Sequence, residues 1–282
     1  MKTYINLEQE DIKIMEVFEL TDSNKTVISQ LMSNIDKGVE YPLGDDFFEI
    51  SHGNNYFSFF EKIGKVTSVL YGDLKNIEGV FTIVERIIDN NKIHYMCDLK
   101  KKKNSKNIIM VSMAKYYFEK IYKASDMYYA IHMDKQGEDN NSIVKLLSSY
   151  INKYNKKNAS KFKQNTKKLN LFSLNYEEIL KYKKLIENFK GGFLNINNLT
   201  GIKEIILKST NKPMELIHLE FSDKEEIIGK KYINHTFMFS TLSNSQLSNQ
   251  LLEKGIQVNA TATITNFGME TVDFEFINTG EI

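Results

Sequence analysis

The sequence predicts a mixed α/β fold, in which helices flank a mixed sheet and a second α/β part follows. Segments with the two-residue period of strands alternate with segments of helical period along the chain. In addition, the strand-like segments 92–99 and 127–133 are separated by a helical one. Because parallel neighbours need such a crossover, these two segments are candidates for adjacent parallel strands.

The first half is predicted to contain a strand, a helix, three antiparallel strands, a helix, a strand and a helix, in that order. Residues 11–20 alternate as the first strand, and Asp22 or Ser23 can cap a helix over 21–38. The turn residues Asp89–Asn91 predict a tight hairpin. The other segments are a turn-rich link at 41–55, strand-like pieces in 56–73, a strand at 78–88, and helices at 108–122 and 140–154.

The second half repeats this alternation over about a hundred residues. A Lys/Asn-rich run, 152–170, separates the halves and is read as a solvated linker in preference to a nucleic-acid patch. The predicted units are therefore 1–151, the linker 152–170, and 171–282. The later segments are helices at 176–192 and 244–256 and strands at 214–221, 232–242 and 259–267.

Composition excludes several classes of protein. The chain has 282 residues, with 37 basic and 36 acidic side chains, so a general nucleic-acid binder is not expected. Its single cysteine, Cys97, excludes an internal disulfide and a Cys-rich metal site. The five histidines show no pair with metal-ligand spacing. No signal peptide and no bilayer-spanning apolar run are visible, which favours a reducing cytoplasm and no membrane partner.

The turn between the predicted strand 92–99 and the helix from Ile108 carries the most specific pattern. Asp98-Leu99-Lys100-Lys101 ends the strand, and Lys102-Lys103-Asn104-Ser105-Lys106-Asn107 leads into the helix. Together with the strand and helix at 18–31, this order resembles the GNAT-type N-acyltransferase superfamily over roughly residues 11–150. Lys254-Gly255-Ile256 resembles a step near the end of that fold. The second half is therefore either a degenerate second copy of this fold or part of a single unit that carries an insertion.

The resemblance implies a cofactor, acetyl-CoA or another acyl-CoA, at this turn. The backbone amides at a helix N-terminus suit a pyrophosphate, and in the family glycines let the backbone approach it. Those glycines are absent here, so a solvated turn without a ligand is an equal interpretation. The cofactor-binding residues implied are Leu99, Lys100, Lys101, Asn104, Ser105, Lys106, Asn107 and Ile108.

The lysines of the turn suggest a second donor. An acyl carrier protein is acidic, and a basic rim at the thioester entrance could steer it into place. The donor is therefore either an acyl-CoA or an acyl carrier protein.

Three residues are candidates for the proton transfers that acyl transfer to an amine requires. Asp98 and His132 stand at strand ends, where open sheets bind ligands. Side-chain alternation predicts that His94, Met96 and Asp98 share one strand face. Tyr150 falls near the position of a tyrosine acid in the family. The buried strand residue Cys97 is not expected to be a nucleophile.

Two functions from different classes follow. One is an N-acyltransferase that moves an acyl group from a thioester to a small amine by direct attack. The other is a non-catalytic binding or regulatory module that kept the fold and lost the cofactor turn. Nucleic-acid binding through 152–168 is the weakest interpretation, because stacking aromatics are not interleaved with its lysines.

Overall fold

Six α-helices and fourteen strands make up the regular part of the chain that the computed structural model describes. The described residues are 16–122, 127–134, 142–157, 163–197, 202–208, 213–214, 216–224, 228–270, 272, 274, 277 and 279–282. The helices are α1 (Lys25–Asp36), α2 (Ser58–Ile63), α3 (Ile108–Lys120), α4 (Ser142–Lys157), α5 (Tyr176–Lys190) and α6 (Gln246–Glu253). None of the described helices is both long and apolar enough to cross a bilayer.

The strands form two sheets. They are β1 (Glu16–Glu19), β2 (Glu40–Leu43), β3 (Asp46–Ser51), β4 (Lys65–Asp73), β5 (Asn76–Ile88), β6 (Asn91–Lys101), β7 (Met127–Met133), β8 (Gln164–Asn175), β9 (Phe193–Asn197), β10 (Glu204–Leu207), β11 (Pro213–Met214), β12 (Leu216–Ser222), β13 (Thr236–Leu242) and β14 (Ala260–Phe267). The large sheet has the order β1-β4-β5-β6-β7-β14-β8-β13-β12-β9, and the small one β11-β10-β3-β2. The predicted mixed α/β class is confirmed.

The inner part of the large sheet is symmetric in its strand directions. Strands β6 and β7 are parallel, as the sequence predicted, and so are β12 and β13. Between these two pairs lie β14 and β8, which are antiparallel to each other and to their outer neighbours. The C-terminal strand β14 therefore completes the sheet beside β7, while β8 pairs with β13. A strand from the C-terminal part of the chain thus pairs directly with a strand of the first half.

Helices cover one face of the large sheet. Helices α3 and α4 pack on the first half through a core that includes Met113, Phe118 and Leu147. Helices α5 and α6 pack on the second half through another apolar core. The opposite face is buried by α1, α2, the small sheet and the C-terminal segment in one continuous core. Because these layers exclude water from both faces, the strands are rich in apolar residues rather than alternating.

Several local predictions are revised by the structure. The link predicted over 41–55 contains β2 and β3, which pair with each other, and β3 also pairs with β10. Residues 58–63 form α2 rather than a strand. Of the predicted linker 152–170, residues 152–157 belong to α4 and 164–170 to β8. Residues 158–162 lie outside the described part of the chain. The division into units at this point remains a prediction.

The predicted hairpin and the ends of α5 are confirmed by backbone geometry, whereas α1 has Asn24, and not Asp22 or Ser23, at its N-cap position. Asp89 and Asn90 have φ of 49° and 61°, the left-handed values of a two-residue turn with the twist of the flanking strands. Asn175 caps α5 in a reciprocal arrangement with Glu178. Gly191 ends that helix at φ 70°, where a residue with a Cβ would be strained.

Candidate functional site

The parallel strands β6 and β7 separate beyond their first three paired residues. Their pairing runs from Ile93/Met127 to Tyr95/Tyr129, although β6 continues to Lys101 and β7 to Met133. The two strands therefore leave a gap in the middle of the sheet. The residues of β6 beyond Tyr95 border this gap and lead to the turn before α3.

A bulge in β6 stands at the gap. Thr82 pairs with Cys97 and Val80 with Lys100, so that Asp98 and Leu99 both face Phe81. Asp98 takes φ 54°, a left-handed value that aspartate tolerates better than most residues. The extra residue interrupts the alternation of side chains along the strand. Consequently, the polar end of β6 turns toward the face covered by α1.

The bulge overturns one prediction from side-chain alternation. His94 stacks on Tyr128 with 4.9 Å between ring centroids, on the face covered by α3. The Asp98 carboxylate instead contacts Tyr56 and Lys100 on the opposite face. His94 and Asp98 therefore do not share a face, because the inserted residue shifts the period by one.

A cavity of about 270 Å³ occupies the gap. Its walls come from both faces of the sheet: Tyr95 and Cys97 line it on the side of α1, and Met96, Ala130 and Leu147 on the side of α4. These walls are mainly apolar, with a few polar groups aimed inward. Such a composition is typical of a small-molecule site.

A buried ion cluster lies at the end of the cavity formed by β6. The Lys100 ammonium is 2.6 Å from Asp98 Oδ1 and 3.0 Å from Asp36 Oδ1. Asp36 ends α1, and its Oδ2 lies 2.9 Å from His52 Nδ1 and accepts the His52 backbone N–H at 3.1 Å. The Tyr56 hydroxyl donates to Asp98 Oδ2. One lysine therefore serves two carboxylates, and its positive charge is fully compensated.

The pKa shifts in this cluster follow from burial and pairing. Burial alone would raise the pKa of Asp36, but the hydrogen bond from His52 and the charge of Lys100 lower it to about 2. Burial opposes the charge of Lys100, yet Asp98 and Asp36 together raise its pKa above the ordinary value. For His52, burial outweighs the hydrogen bond to Asp36 and lowers the pKa. The lysine and Asp36 thus stay charged near neutral pH, whereas His52 is neutral.

His132 lines the same cavity, at the far end of β7. Burial lowers its pKa below the ordinary 6.5, Lys168 lowers it further, and Asp134 opposes both. Its Nε2 is 3.9 Å from Asp134 Oδ1. Its Nδ1 is buried and has no hydrogen-bond partner in the described part of the chain. In the tautomer with the proton on Nε2, this nitrogen is an acceptor without a partner among the described residues.

The C-terminal segment supplies another wall, through Glu281 and Ile282. Glu281 is 4% exposed, and its Oε2 lies 2.5 Å from Arg86 Nη1 and accepts the Tyr129 hydroxyl at 3.0 Å. The nearby Lys203 ammonium donates to the main-chain oxygens of Gly280 at 2.6 Å and Ile282 at 3.1 Å. The cavity is thus closed by residues remote in sequence from β6 and β7.

The predicted cofactor-binding residues fall into two groups. Leu99 and Lys100 line the cavity, together with the predicted catalytic residue Asp98. Beyond them the turn is held by its own hydrogen bonds: Lys101 Nζ donates to the Ser105 carbonyl at 2.6 Å, and Ser105 Oγ donates to Glu78 at 3.2 Å. Asn104, Lys106, Asn107 and Ile108 are exposed and do not line the cavity.

Helix α3 begins at Ile108, which is 58% exposed, and no side chain caps its first turn. Its position depends on Gly79 in β5, where a Cβ would stand 2.6 Å from Ile109 Cγ2. The missing side chain lets the helix pack directly on the strand.

Tyr150 does not reach the cavity. It lies on α4, where its ring stacks on Phe118 with centroids 5.3 Å apart, and burial raises its pKa. Cys97 is buried, and burial followed by the charge of Asp98 raises its pKa well above the ordinary value. The thiol is therefore protonated and unsuited to attack. Among the described residues, no group of three or more His, Cys, Asp or Glu side chains could hold a metal ion.

Sequence reasoning missed the partners that approach from the opposite face. Asp36 precedes the predicted link 41–55, and His52 lies within it. Lys203 follows a stretch with no strong period in its apolar residues. The one local signal was a histidine directly after the alternating segment 46–51. The approach of His52 and Lys203 to the cavity depends on the small sheet, in which β3 pairs with β10 and which no periodicity in this part of the chain indicated.

Comparisons with known proteins come from structure alone. No protein-family model matches the chain, and no curated protein matches its sequence at the required significance. A tandem GNAT protein from the clavulanic acid biosynthesis pathway is similar with a TM-score of 0.45 and 7% identity, over 89% of this chain and 98% of that one.

Two other solved structures show likeness of the same kind. The N-acetyltransferase region of a fungal multi-domain GH3 β-N-acetylglucosaminidase gives a TM-score of 0.38 at 8% identity, over 90% of this chain and 38% of that one. A probable N-acyltransferase from Enterococcus faecalis gives 0.38 at 6%, over 89% and 72%. At these identities the likeness concerns the course of the chain alone. The superfamily that these structures name is the one that the sequence resembled.

Proposed function

We propose that the chain transfers an acyl group from a thioester to an amine in the gap between β6 and β7. The observation that carries this proposal is the cavity at the parting of two parallel strands, with apolar walls and a free ring nitrogen at its edge. A thioester with a narrow, flexible arm needs such an opening, and an attacking amine needs a proton acceptor.

The cavity fits the thioester arm better than the turn fits a nucleotide. Ala130, Met96 and Leu147 provide an apolar passage. The turn before α3 lacks the glycines of a phosphate cradle, and Lys101 is tied to Ser105. The donor we propose is therefore a phosphopantetheine thioester, the arm that acyl-CoA and an acyl carrier protein share. When bound, it supplies the acyl group and the leaving thiol.

Two positions in the chain would carry the chemistry. His132 Nδ1 takes one proton from the ammonium of the acceptor and passes it to solvent, and the amine then attacks the thioester carbonyl. The nitrogen loses a second proton as the C–S bond breaks, the departing thiolate takes up a proton, and one proton is released per amide formed. The Asp98 carboxylate already accepts from Tyr56 and pairs with Lys100, which makes it the less available base. It therefore positions Lys100 and the bulge. The backbone N–H of Leu99 or Lys100 is the proposed group that polarises the thioester carbonyl.

A thermal-shift titration with CoA, acetyl-CoA and a long-chain acyl-CoA tests the donor. A ligand at one hundred times its dissociation constant stabilises the fold by roughly 2.7 kcal/mol. The absence of stabilisation by all three ligands, together with no acyl transfer from an acyl carrier protein, would contradict the enzymatic proposal.

The carrier alternative has its own test. Charge reversal of the exposed Lys103 and Lys106 should lower the rate with an acyl carrier protein and leave the rate with a free pantetheine thioester unchanged. Charge reversal of Lys181 and Lys184 on α5 is the matched control. Equal rates with the acyl carrier protein in the two double variants would exclude the basic turn as a docking surface for the carrier.

A non-catalytic binding module is the second candidate. Its support is the same turn, in which Lys101 and Ser105 are engaged within the protein and glycines are missing. The second half, as a worn copy of the first, would then serve as a partner surface. Ligand-induced stabilisation without transfer to any amine would favour this candidate.

A further inference from the structure

We infer that His52 is a second catalytic base of the cavity, which takes the proton that the acceptor nitrogen loses as the C–S bond breaks. This inference rests on the proposed function, because it assigns a further residue to the same reaction. His52 lines the cavity, is 3% exposed and directly follows β3. It therefore reaches the cavity from the side of the small sheet.

The contact with Asp36 decides which ring nitrogen of His52 can accept a proton. Asp36 Oδ2 lies 2.9 Å from Nδ1 and also accepts the His52 backbone N–H at 3.1 Å. Burial would raise the pKa of Asp36, but the hydrogen bond from His52 and the charge of Lys100 lower it to about 2. Its carboxylate therefore has no proton to donate near neutral pH. A neutral His52 must carry its proton on Nδ1, which leaves the lone pair on Nε2.

Aromatic side chains hold the His52 ring in place. The ring centroid lies 4.6 Å from that of Tyr56, and the ring stacks on Phe60 with centroids 5.3 Å apart. Phe60 also lines the cavity. A base that is oriented by a third group and confined by its neighbours is the arrangement that proton transfer requires. The contacts of His52 therefore provide both the tautomer and the orientation of a base.

His132 faces the same cavity from the other side of the sheet. In β7, Tyr128 and Ala130 belong to the core beneath α3 and α4, and side-chain alternation places His132 on that face. His52 stands on the opposite face, beside Tyr56 and the core under the small sheet. The gap between β6 and β7 joins the two sides in one cavity. The two histidines can therefore act at different steps of one reaction in the gap.

The proton balance of the reaction gives each histidine one proton. His132 takes the first from the ammonium before attack and passes it to solvent. As the C–S bond of the tetrahedral adduct breaks, His52 Nε2 takes the second proton from the nitrogen and becomes an imidazolium beside the Asp36 carboxylate. It then gives this proton to the departing thiolate, so that one proton is released per amide formed.

The charges around His52 suit a base that is neutral before the reaction. Burial lowers the pKa of His52 below the ordinary 6.5 against the hydrogen bond to Asp36, and the charge of Lys100 lowers it further. Asp36 and Asp98 favour the imidazolium once it forms. The ring is therefore ready to accept a proton near neutral pH, and two carboxylates stabilise the charge that it gains.

The test separates the two histidines by the number of protons that the acceptor must lose. The acceptors are two isomeric pairs, phenethylamine with 4-ethylaniline and benzylamine with p-toluidine. The alkyl amine of each pair loses two protons, whereas the aromatic amine is already neutral near neutral pH and loses one. Acyl transfer is measured there with the donor that stabilises the wild-type protein. His52→Asn should lower kcat with both members, by about 10²–10⁴-fold for the alkyl amine, while His132→Gln should lower it for the alkyl amine alone.

The choice of asparagine separates catalysis from structure. The Asn side-chain amide keeps an N–H donor for Asp36 at the place of Nδ1, and only Nε2 is lost. His94→Asn, at a histidine that stacks on Tyr128 and does not line the cavity, is the matched control and should keep the wild-type kcat. A loss below about threefold in His52→Asn overturns the role of His52 alone, because a general base contributes far more. Absence of transfer by the wild-type protein to all four acceptors contradicts the proposed function and removes the role of His52 with it.

The tautomer provides a readout that does not need turnover. Two-bond ¹⁵N–¹H correlation spectra of protein labelled with ¹⁵N-histidine distinguish protonated from unprotonated ring nitrogens. The chain has five histidines, and the signals of His52 are those that disappear in His52→Asn. We expect a proton on Nδ1 and none on Nε2 at neutral pH. The opposite tautomer, or a doubly protonated ring, overturns the inference whether or not transfer occurs.

Discussion

The two parallel strand pairs of the large sheet have the same pairing and different contents. In each, three residue pairs join the strands, and the seven-residue strand β7 or β13 then runs on for four residues without its parallel partner. Ala130 in β7 therefore corresponds to Phe239 in β13, and His132 corresponds to Thr241. The same strand arrangement thus opens a gap twice.

Side chains and connections decide what each gap contains. The first gap holds the cavity, with the small Ala130 on its wall. At the second gap Phe239 is buried, and the C-terminal turn Thr279–Glu281 lies against β12 and β13. Strands β6 and β7 are joined through helix α3, whereas a short 3-10 turn, Lys230–Tyr232, stands before β13. The same separation of parallel strands therefore occurs beside a small side chain in one half and beside a large buried one in the other.

The largest expected difference between the two parallel strand pairs is in their contribution to catalysis. His132→Gln should lower kcat by about 10²–10⁴-fold, the usual effect of losing a general base, with the fold retained. Its counterpart Thr241 bonds to Ser245 and has no titratable group, so Thr241→Val should leave kcat unchanged. Steady-state kinetics on both variants check this, and a loss below threefold in His132→Gln would remove His132 as the base.

The stability of the protein should be sensitive to truncation of the side chain that is buried at the β12/β13 gap. Phe239→Ala should destabilise the protein by about 3–5 kcal/mol, because it leaves a hole in a packed region next to Phe172. Phe193→Ala, at a residue 40% exposed in the same half, should cost far less. Urea unfolding measures both. Similar costs would mean that the second gap is not tightly packed.

Placing the phenylalanine of the β12/β13 gap at the corresponding position of the β6/β7 gap should block the cavity. Ala130→Phe places a ring beside the cavity, and the ligand-dependent stabilisation of roughly 2.7 kcal/mol should disappear while the free protein stays folded. Ala114→Phe is the matched control in the closely packed part of α3, where added volume costs about 1–3 kcal/mol and should not affect the ligand. Retained ligand stabilisation in Ala130→Phe would place the donor elsewhere.

The smallest effect is on the pH dependence of transfer. His132 acts as a base only when neutral, and burial holds its pKa below 6.5 against the effect of Asp134. The rate should therefore rise as His132 loses its proton and level off by neutral pH. A pH profile of kcat/KM checks this, and a profile without a rise on the acid side would contradict the role of His132.

Much of the first half followed from sequence alone. The strand over 127–133, the hairpin at Asp89–Asn91 and the helix from Ile108 were predicted because periodicity and turn residues are local properties. Two of the predicted catalytic residues, Asp98 and His132, do line the cavity, because both stand where strands end. Tyr150 does not, since the spacing within α4 aims its ring at Phe118.

Only the tertiary structure decided how the site is completed. The bulge at Asp98 reverses a side-chain face through a single left-handed residue, which the period of the strand cannot indicate. His52, Lys203 and Glu281 reach the cavity from the small sheet and the C-terminal segment, through contacts between residues far apart in the chain. The sequence determined that β6 and β7 are parallel neighbours and that Asp98 and His132 lie near their ends. The packing around those ends determined which gap stayed open, because the volume and charge of a cavity depend on every layer that meets there.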